Sequence, residues 1–145
     1  MWGGRWSLFL LEVCGVVGHA HQIAFVQKAC AAHGLKLDFR QSNHEGVLVD
    51  WIHEAGRLHA AGTLAGVIFN AGAYTHTSIA LHDAIKGTGV PLIEIHISNV
   101  HAREAFRHHS YISPAAAGIV VGFGVDGYVL AIDGLLKKAR LPRPA

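Results

Sequence analysis

The stretch LAGVIFNAGAYTHTSIALHDAIKGTGVPLIEIHIS, residues 64–98, decides the fold of this chain. It begins with an apolar run, Leu64–Asn70, which lacks polar alternation and is therefore typical of a strand covered on both faces. A helix is predicted over Thr77–Lys86, before the next glycines, and a second buried strand over Leu92–Ile97. Strand, helix and strand in this order predict parallel strands joined by a right-handed crossover.

The same alternation continues on both sides of this stretch. Further strands are predicted over Ser7–Val13, Leu35–Arg40 and Gly118–Phe123. Further helices are predicted over His19–His33, from the S-x-x-E capping box of Ser42 and Glu45 to about His59, and over Val125–Lys138. Five strands in so short a chain fit an α/β flavodoxin-like fold, a five-stranded parallel sheet with helices on both faces. We expect a single domain over residues 1–145, with 140–145 as a tail.

Composition narrows the classes of function. Charged residues are 15% of the 145, well below the usual quarter, so we expect part of the surface to be covered in a homo-oligomer. A net charge of +2 without a Lys/Arg run argues against nucleic acid, and no apolar run is long enough for a membrane helix. Glu12 interrupts the only stretch that resembles a signal peptide, and the two cysteines form no disulfide framework. We therefore expect a cytoplasmic protein.

Residues 92–98, LIEIHIS, carry the first chemical signal. Side chains two apart on a strand share a face, so Glu94 and His96 point one way and the three isoleucines point the other. A buried carboxylate beside an imidazole fixes the tautomer of the ring and favours its protonated form, which suits a general acid. A Glu–His pair kept only for packing is the equally simple alternative.

Two neighbouring segments add polar groups. Asn70 ends a strand, Gly72 allows close approach to a ligand, and His76 precedes a helix start where free N–H groups can hold an anion. Arg103 and Arg107, at i,i+4, are expected to share one helical face and to be suited to gripping a carboxylate. A plain turn and a solvated basic face are the corresponding structural alternatives.

Other motifs are weaker or missing. GFGVDG, residues 122–127, lacks the context of a dinucleotide-binding loop, and no nucleophile elbow is present. A metal site built from His76, His96 and His101 is a further alternative.

Four motifs together resemble a known family. They are FRQSNHEG (39–46), NAGAYTHTS (70–78), EIHISN (94–99) and HAREAFRHHSYIS (101–113). They resemble the type II 3-dehydroquinate dehydratases over about residues 18–139. The resemblance implies a dodecamer, a tetramer of trimers, that acts in the shikimate pathway without metal or cofactor. Such an enzyme removes water from 3-dehydroquinate through an enolate-like intermediate and gives 3-dehydroshikimate.

The resemblance also implies roles for residues in these motifs. His96 resembles the general acid that protonates the departing hydroxyl, and Glu94 its orienting partner. Asn70 resembles the residue that binds the substrate and positions the water that stabilises the enolate. The remaining correspondences are a carboxylate clamp at Ile97 and Ser98, ring-hydroxyl contacts at His76 and Arg107, a reach into the neighbouring subunit's site at Asp83, and a supporting arginine at Arg103.

The N-terminal segment, residues 1–17, departs from the family pattern. Members of the family carry a mobile loop with an arginine and, a few residues on, a tyrosine before glycine, and that tyrosine is the base that takes the C2 proton. Here Val17 stands before Gly18, and no arginine lies between residues 6 and 39. Two alternatives remain open: an altered N-terminus on an enzyme, or an inactive homologue that binds a cyclic hydroxy acid.

Overall fold

A single parallel sheet organises the part of the chain that the computed structural model describes, residues 6–13 and 19–138. Its strands are β1 (Ser7–Glu12), β2 (Lys36–Gln41), β3 (Leu64–Asn70), β4 (Leu92–His96) and β5 (Gly118–Val121). They lie in the order β2-β1-β3-β4-β5, and each neighbouring pair is parallel. This order confirms the predicted flavodoxin-like fold, in which the strand order reverses beside β1 and a crevice forms at the carboxyl ends.

Four helices cover the two faces of this sheet in the described part. They are α1 (His19–Ala32), α2 (Glu45–Ala60), α3 (Ile79–Thr88) and α4 (Asp126–Lys138). Apolar side chains of α2 and α3 bury one face of the sheet, and those of α1 and α4 bury the other. β3, between them, is buried along its apolar length, as its lack of polar alternation predicted. None of the helices in residues 6–13 and 19–138 is long and apolar enough to cross a membrane.

Most of the predicted bounds differ from the observed ones by one or two residues. β5 ends at Val121 rather than Phe123, because Gly122 and Gly124 turn the chain with φ of 92° and 60°. α3 runs through Gly87 to Thr88, and Gly89, with φ of 64°, ends it.

The predicted capping box at the start of α2 is wrong. His44 is the N-cap residue, and its side chain makes no capping hydrogen bond. The hydroxyl of Ser42 instead accepts a hydrogen bond from the His44 N–H at 3.0 Å, so it closes a local turn before the helix. The expectations for Val17 and for the tail at 140–145 lie outside the described residues.

Candidate active site

A cavity of about 240 Å³ opens beyond the carboxyl ends of β1, β3 and β4. We call it the strand-end cavity. Its lining consists of Glu12, Val13, Gln22, Asn70, Gly72, Ala73, His76, His96, Ile97, Ser98, Val100, Arg103 and Arg107. Most of the side chains that the sequence singled out therefore come together where an open α/β sheet places its ligand.

The Glu94–His96 pair lies on β4 with both side chains on the face covered by α2 and α3, opposite Ile93 and Ile95. Glu94 is 1% and His96 7% exposed. Glu94 Oε1 is 3.6 Å from His96 Nε2, an ion-pair distance beyond hydrogen-bond range. Within the described residues this buried nitrogen has no hydrogen-bond partner. The pair is thus close and correctly oriented, and His96 reaches the strand-end cavity.

Two serines hold the Glu94 carboxylate. Ser110 Oγ donates to Oε1 and Ser113 Oγ donates to Oε2, each at 2.5 Å. Burial acts to raise the pKa of Glu94, but His96 and the two hydroxyls together hold that pKa below its usual value. Glu94 is therefore a carboxylate at neutral pH. The sequence analysis missed both serines, although the S-Y-I-S spacing at 110–113 is that of one turn.

His76 is oriented by the backbone. Its Nδ1 lies 2.8 Å from the carbonyl oxygen of His109, and a carbonyl only accepts, so Nδ1 carries the proton. With the proton on Nδ1, the tautomer presents Nε2 as an acceptor, which suits a ligand hydroxyl. The predicted position at a helix start needs correction, because His76 ends the 3₁₀ turn Gly72–His76 and Ser78 caps α3 through the Leu81 N–H. The cap uses one of the N–H groups expected to be free.

Asn70 is also fixed on both sides of its amide. Its Oδ1 accepts from the Gly72 N–H at 3.3 Å, and its Nδ2 donates to the Tyr128 hydroxyl at 3.3 Å. Gly72 has a φ of 55°, a left-handed backbone conformation that favours glycine, and its predicted close approach to a ligand stays a prediction. Asn70 thus sits rigidly at the rim of the strand-end cavity.

The prediction that Arg103 and Arg107 share one helical face is wrong. Val100–Ala102 and Ala105–Arg107 are separate 3₁₀ turns, and Arg103 between them is extended. Both arginines nevertheless line the strand-end cavity, and both face Glu104, at 3.7 Å from Arg103 Nε and 2.8 Å from Arg107 Nε. Arg107 is the less exposed of the two and is the better candidate for ligand contact.

The residues after β4 are held by the loop after β5. The Gly122 N–H donates to the carbonyl oxygen of His96 at 3.1 Å, and the Gly124 N–H donates to that of Ile97 at 3.0 Å. Ile97 and Ser98 are exposed and line the cavity. Asp83 is exposed on α3 and does not line the strand-end cavity of its own chain.

The metal-site alternative gains no support. Across residues 6–13 and 19–138, no three His, Cys, Asp or Glu side chains come together in a way that could hold a metal ion. His101 lines a second cavity of about 290 Å³, which shares His76 and His96 with the first.

Comparison with known proteins identifies the family to which this chain belongs. The family model "Dehydroquinase class II" matches residues 12–136, and the chain belongs to this family. The 3-dehydroquinate dehydratase of Acidovorax sp. (strain JS42) is 77% identical over 107 residues, 74% of this chain and 72% of the relative. The 3-dehydroquinate dehydratase 2 of Ralstonia nicotianae (strain ATCC BAA-1114 / GMI1000) is 58% identical over 134 residues, 90% of this chain and 86% of the relative.

Solved structures agree with this assignment. The type II dehydroquinase of Butyrivibrio crossotus DSM 2876 superposes with a TM-score of 0.83 at 33% identity, over 92% of this chain and 99% of that one. That of Propionibacterium acnes superposes with a TM-score of 0.80 at 33% identity, over 90% and 98%. The predicted family, a hydro-lyase family, is thereby confirmed.

Proposed function

We propose that this chain binds 3-dehydroquinate in the strand-end cavity and removes water from it to give 3-dehydroshikimate. The observation that carries the proposal is the buried Glu94–His96 pair, fixed by two serine hydroxyls and open to a cavity with Asn70 and Arg107. Family membership over residues 12–136 supports the same reaction. We take residues 1–145 as one dehydroquinase-like domain.

His96 is the general acid in this proposal. Its ring touches the strand-end cavity, and the Glu94 carboxylate lies 3.6 Å behind Nε2 as its orienting partner. Loss of the proton to the leaving hydroxyl gives a neutral ring, and the hydroxyl departs as water. Glu94 keeps its charge throughout because Ser110 and Ser113 bind both of its oxygens.

The other cavity residues bind and orient the substrate. The carboxylate of the substrate lies against the Ile97 N–H and the Ser98 hydroxyl, and the ring hydroxyls face His76 and Arg107. Asn70 binds the substrate and positions the water that stabilises the enolate. Arg103 has a supporting role in this proposal. Its guanidinium faces Glu104, the same carboxylate that Arg107 contacts. No cofactor takes part in this scheme.

Assembly completes the site. Asp83 lies exposed and away from its own cavity, which is compatible with a reach into a neighbouring subunit's site. We propose a dodecamer, a tetramer of trimers, located in the cytoplasm and serving chorismate and aromatic amino acid biosynthesis. Light scattering at micromolar concentration tests the assembly, and a strictly monomeric species would contradict it.

The group that takes the C2 proton determines the turnover rate that we expect. A tyrosine before Gly18 is absent, and loss of a positioned base lowers rates by about 10²–10⁴-fold. We therefore expect the chain to convert 3-dehydroquinate slowly. The second candidate, an inactive homologue that binds a cyclic hydroxy acid, rests on the same absence.

The test compares the chain with a repaired form in which residues 1–17 are replaced by a family-type start bearing the arginine and tyrosine. Product formation is followed by the enone absorbance of dehydroshikimate. We expect the repaired chain to gain activity, and His96→Ala within it to lose that activity. Binding without turnover in both chains would favour the inactive homologue. Full activity in the unrepaired chain would show that Val17 does not occupy the position of the family's tyrosine.

A further inference from the structure

A second carboxylate lies at the strand-end cavity, and the scheme above leaves it unused. Glu12 is the last residue of β1 and is 6% exposed, although the four residues before it are all apolar. Burial of a carboxylate is unfavourable unless it is hydrogen-bonded. Its position is therefore a feature that needs a physical explanation.

Alternation along β1 sets the direction of this side chain. Leu8 and Leu10 pack on the face covered by α1 and α4, and Glu12 continues that row. On this face the Tyr128 hydroxyl donates a hydrogen bond to Glu12 Oε1. The same hydroxyl accepts from Asn70 Nδ2 at 3.3 Å. Among the described residues Oε2 has no hydrogen-bond partner, and Glu12 lines the strand-end cavity.

Glu12 and His96 approach the cavity from opposite faces of the sheet. Glu12 pairs in register with Asn70 on β3, and β3 neighbours β4, which ends at His96. Two strand spacings separate their backbones, about 10 Å. Both residues line the strand-end cavity of about 240 Å³, so a ring-shaped ligand bound there can contact both.

We infer that Glu12 is the base that takes the C2 proton of the substrate in this chain, an inference that rests on the proposed dehydration. The Glu12 carboxylate accepts the proton, and the electron pair of the C2–H bond forms the enolate of the adjacent ketone. Collapse of the enolate restores the ketone, forms the ring double bond and expels the hydroxyl, which takes the proton of His96 and leaves as water. Glu12 then returns its proton to solvent, and His96 regains one.

Tyr128 is not the base. It is 1% exposed, and burial first, then the charge and hydrogen bond of Glu12, raise its pKa above the usual value of a phenol. It therefore stays protonated at neutral pH and acts as a donor that positions Glu12. A carboxylate is a weaker base than a phenolate, which agrees with the slow turnover expected above.

Glu12→Gln is the first test, because glutamine keeps an acceptor for Tyr128 but has no basic oxygen. We expect turnover, followed by enone absorbance, to fall at least about 100-fold. Calorimetric affinity for 3-dehydroquinate should change less than about threefold, since the substitution spares the binding groups named above. Glu45→Gln, at the start of α2 and outside the site, is the matched control and should turn over like the parent.

Chemical rescue separates a base from a structural partner of Tyr128. Glu12→Ala should be inactive and should regain turnover in proportion to added formate, which can occupy the vacated space and accept the proton. Failure of formate to raise the rate of a folded, substrate-binding Glu12→Ala protein would overturn the inference. Glu12→Asp supplies a second reading if the alanine variant does not fold: it should retain partial turnover, and turnover below that of Glu12→Gln would also overturn it.

The outcomes distinguish this inference from the proposed function. Equal turnover in the parent and Glu12→Gln would remove Glu12 and leave the dehydration in place. No turnover in the parent, together with activity in the repaired chain, would likewise reject Glu12 as the base and leave the dehydration in place. Absence of turnover in both the parent and the repaired chain would reject the dehydration and the role of Glu12 together.

Discussion

Replacement of Ser113 by alanine tests the support of the acid pair. Ser113 Oγ donates to Glu94 Oε2 at 2.5 Å, and the described residues offer that oxygen no other donor. Glu94 is 1% exposed, so water cannot readily replace the lost bond. A hydrogen bond to a buried charged group is worth about 1.5–3 kcal/mol. Ser113→Ala should therefore lower the free energy of unfolding by about that amount at neutral pH.

The pH dependence of this loss has a definite sign. The folded-state pKa of Glu94 lies below its reference value of 4.5, so its contribution to stability is complete above that value and is lost as pH falls through the folded-state pKa. The variant loses one donor to the charged form while burial stays, so the pKa of Glu94 rises. The difference between parent and variant should be widest at neutral pH and should shrink in acid toward the value of a neutral hydrogen bond, about 0.5–1.5 kcal/mol.

Urea unfolding at pH 7 and at an acid pH below the folded-state pKa of Glu94, at one fixed protein concentration, measures this difference. Ser42→Ala is the control, because the Ser42 hydroxyl accepts a hydrogen bond from the His44 N–H in an exposed turn and contacts no buried charge among the described residues. Ser110→Ala should cost more than Ser113→Ala, since its hydroxyl also accepts from two backbone N–H groups. The same loss at both pH values, or a loss under about 0.5 kcal/mol at pH 7, would refute the reasoning.

Three further outcomes are expected. Arg107→Ala should weaken calorimetric binding of 3-dehydroquinate at least about tenfold, because a charge-assisted contact is worth about 1.5–3 kcal/mol; equal affinity would remove Arg107 from the site. Arg40→Met should lower unfolding stability by about 1–2 kcal/mol, because its guanidinium forks to two carboxylates and stacks 4.2 Å above an aromatic ring; an unchanged urea midpoint would contradict this. Gly66→Ala should destabilise by about 1–3 kcal/mol, because its Cβ would lie 2.6 Å from a backbone oxygen, whereas Gly87→Ala in α3 meets nothing within 4 Å and should stabilise by about 0.5–1 kcal/mol; thermal unfolding of both variants decides.

The features that the sequence predicted correctly depend on short periodicities. Period-two alternation placed Glu94 and His96 on one face of β4, and an unbroken apolar run located β3. The Asn99 cap is equally local: its Oδ1 accepts from the His101 N–H two residues on. These patterns are local, so a single sequence carries them.

The wrong predictions concern residue spacings that are compatible with more than one backbone conformation. Arg103 and Arg107 are four apart, but the chain between them forms two 3₁₀ turns, and the same spacing then has no common face. Ser42 and Glu45 fit a capping box, but the helix begins one residue after His44, so the hydroxyl reaches only a turn. A side-chain spacing alone does not determine which residue ends a loop.

The residues that were missed depend on tertiary contacts. Ser110 and Ser113 reach Glu94 from 16 and 19 residues away, and Tyr128 reaches Glu12 across 116 residues. In the sequence, Glu12 appeared only as an interruption of an apolar run. Its significance depends on the register of β1 against β3, in which Glu12 lies beside Asn70.

The sheet divides the chemistry of the site between its faces. β4 delivers His96 on the side of α2 and α3, and β1 delivers Glu12 on the side of α1 and α4, so the two side chains meet only beyond the strand ends. A change confined to β1 and the segment after it can therefore alter the base and leave the acid pair, its serines and Arg107 untouched. This separation is the physical basis for the expectation that a departure from the family pattern before Gly18 leaves the acid side of the site intact. It also makes the two halves testable independently, since substitutions at Glu12 and at Ser113 act on different faces and should combine additively in stability.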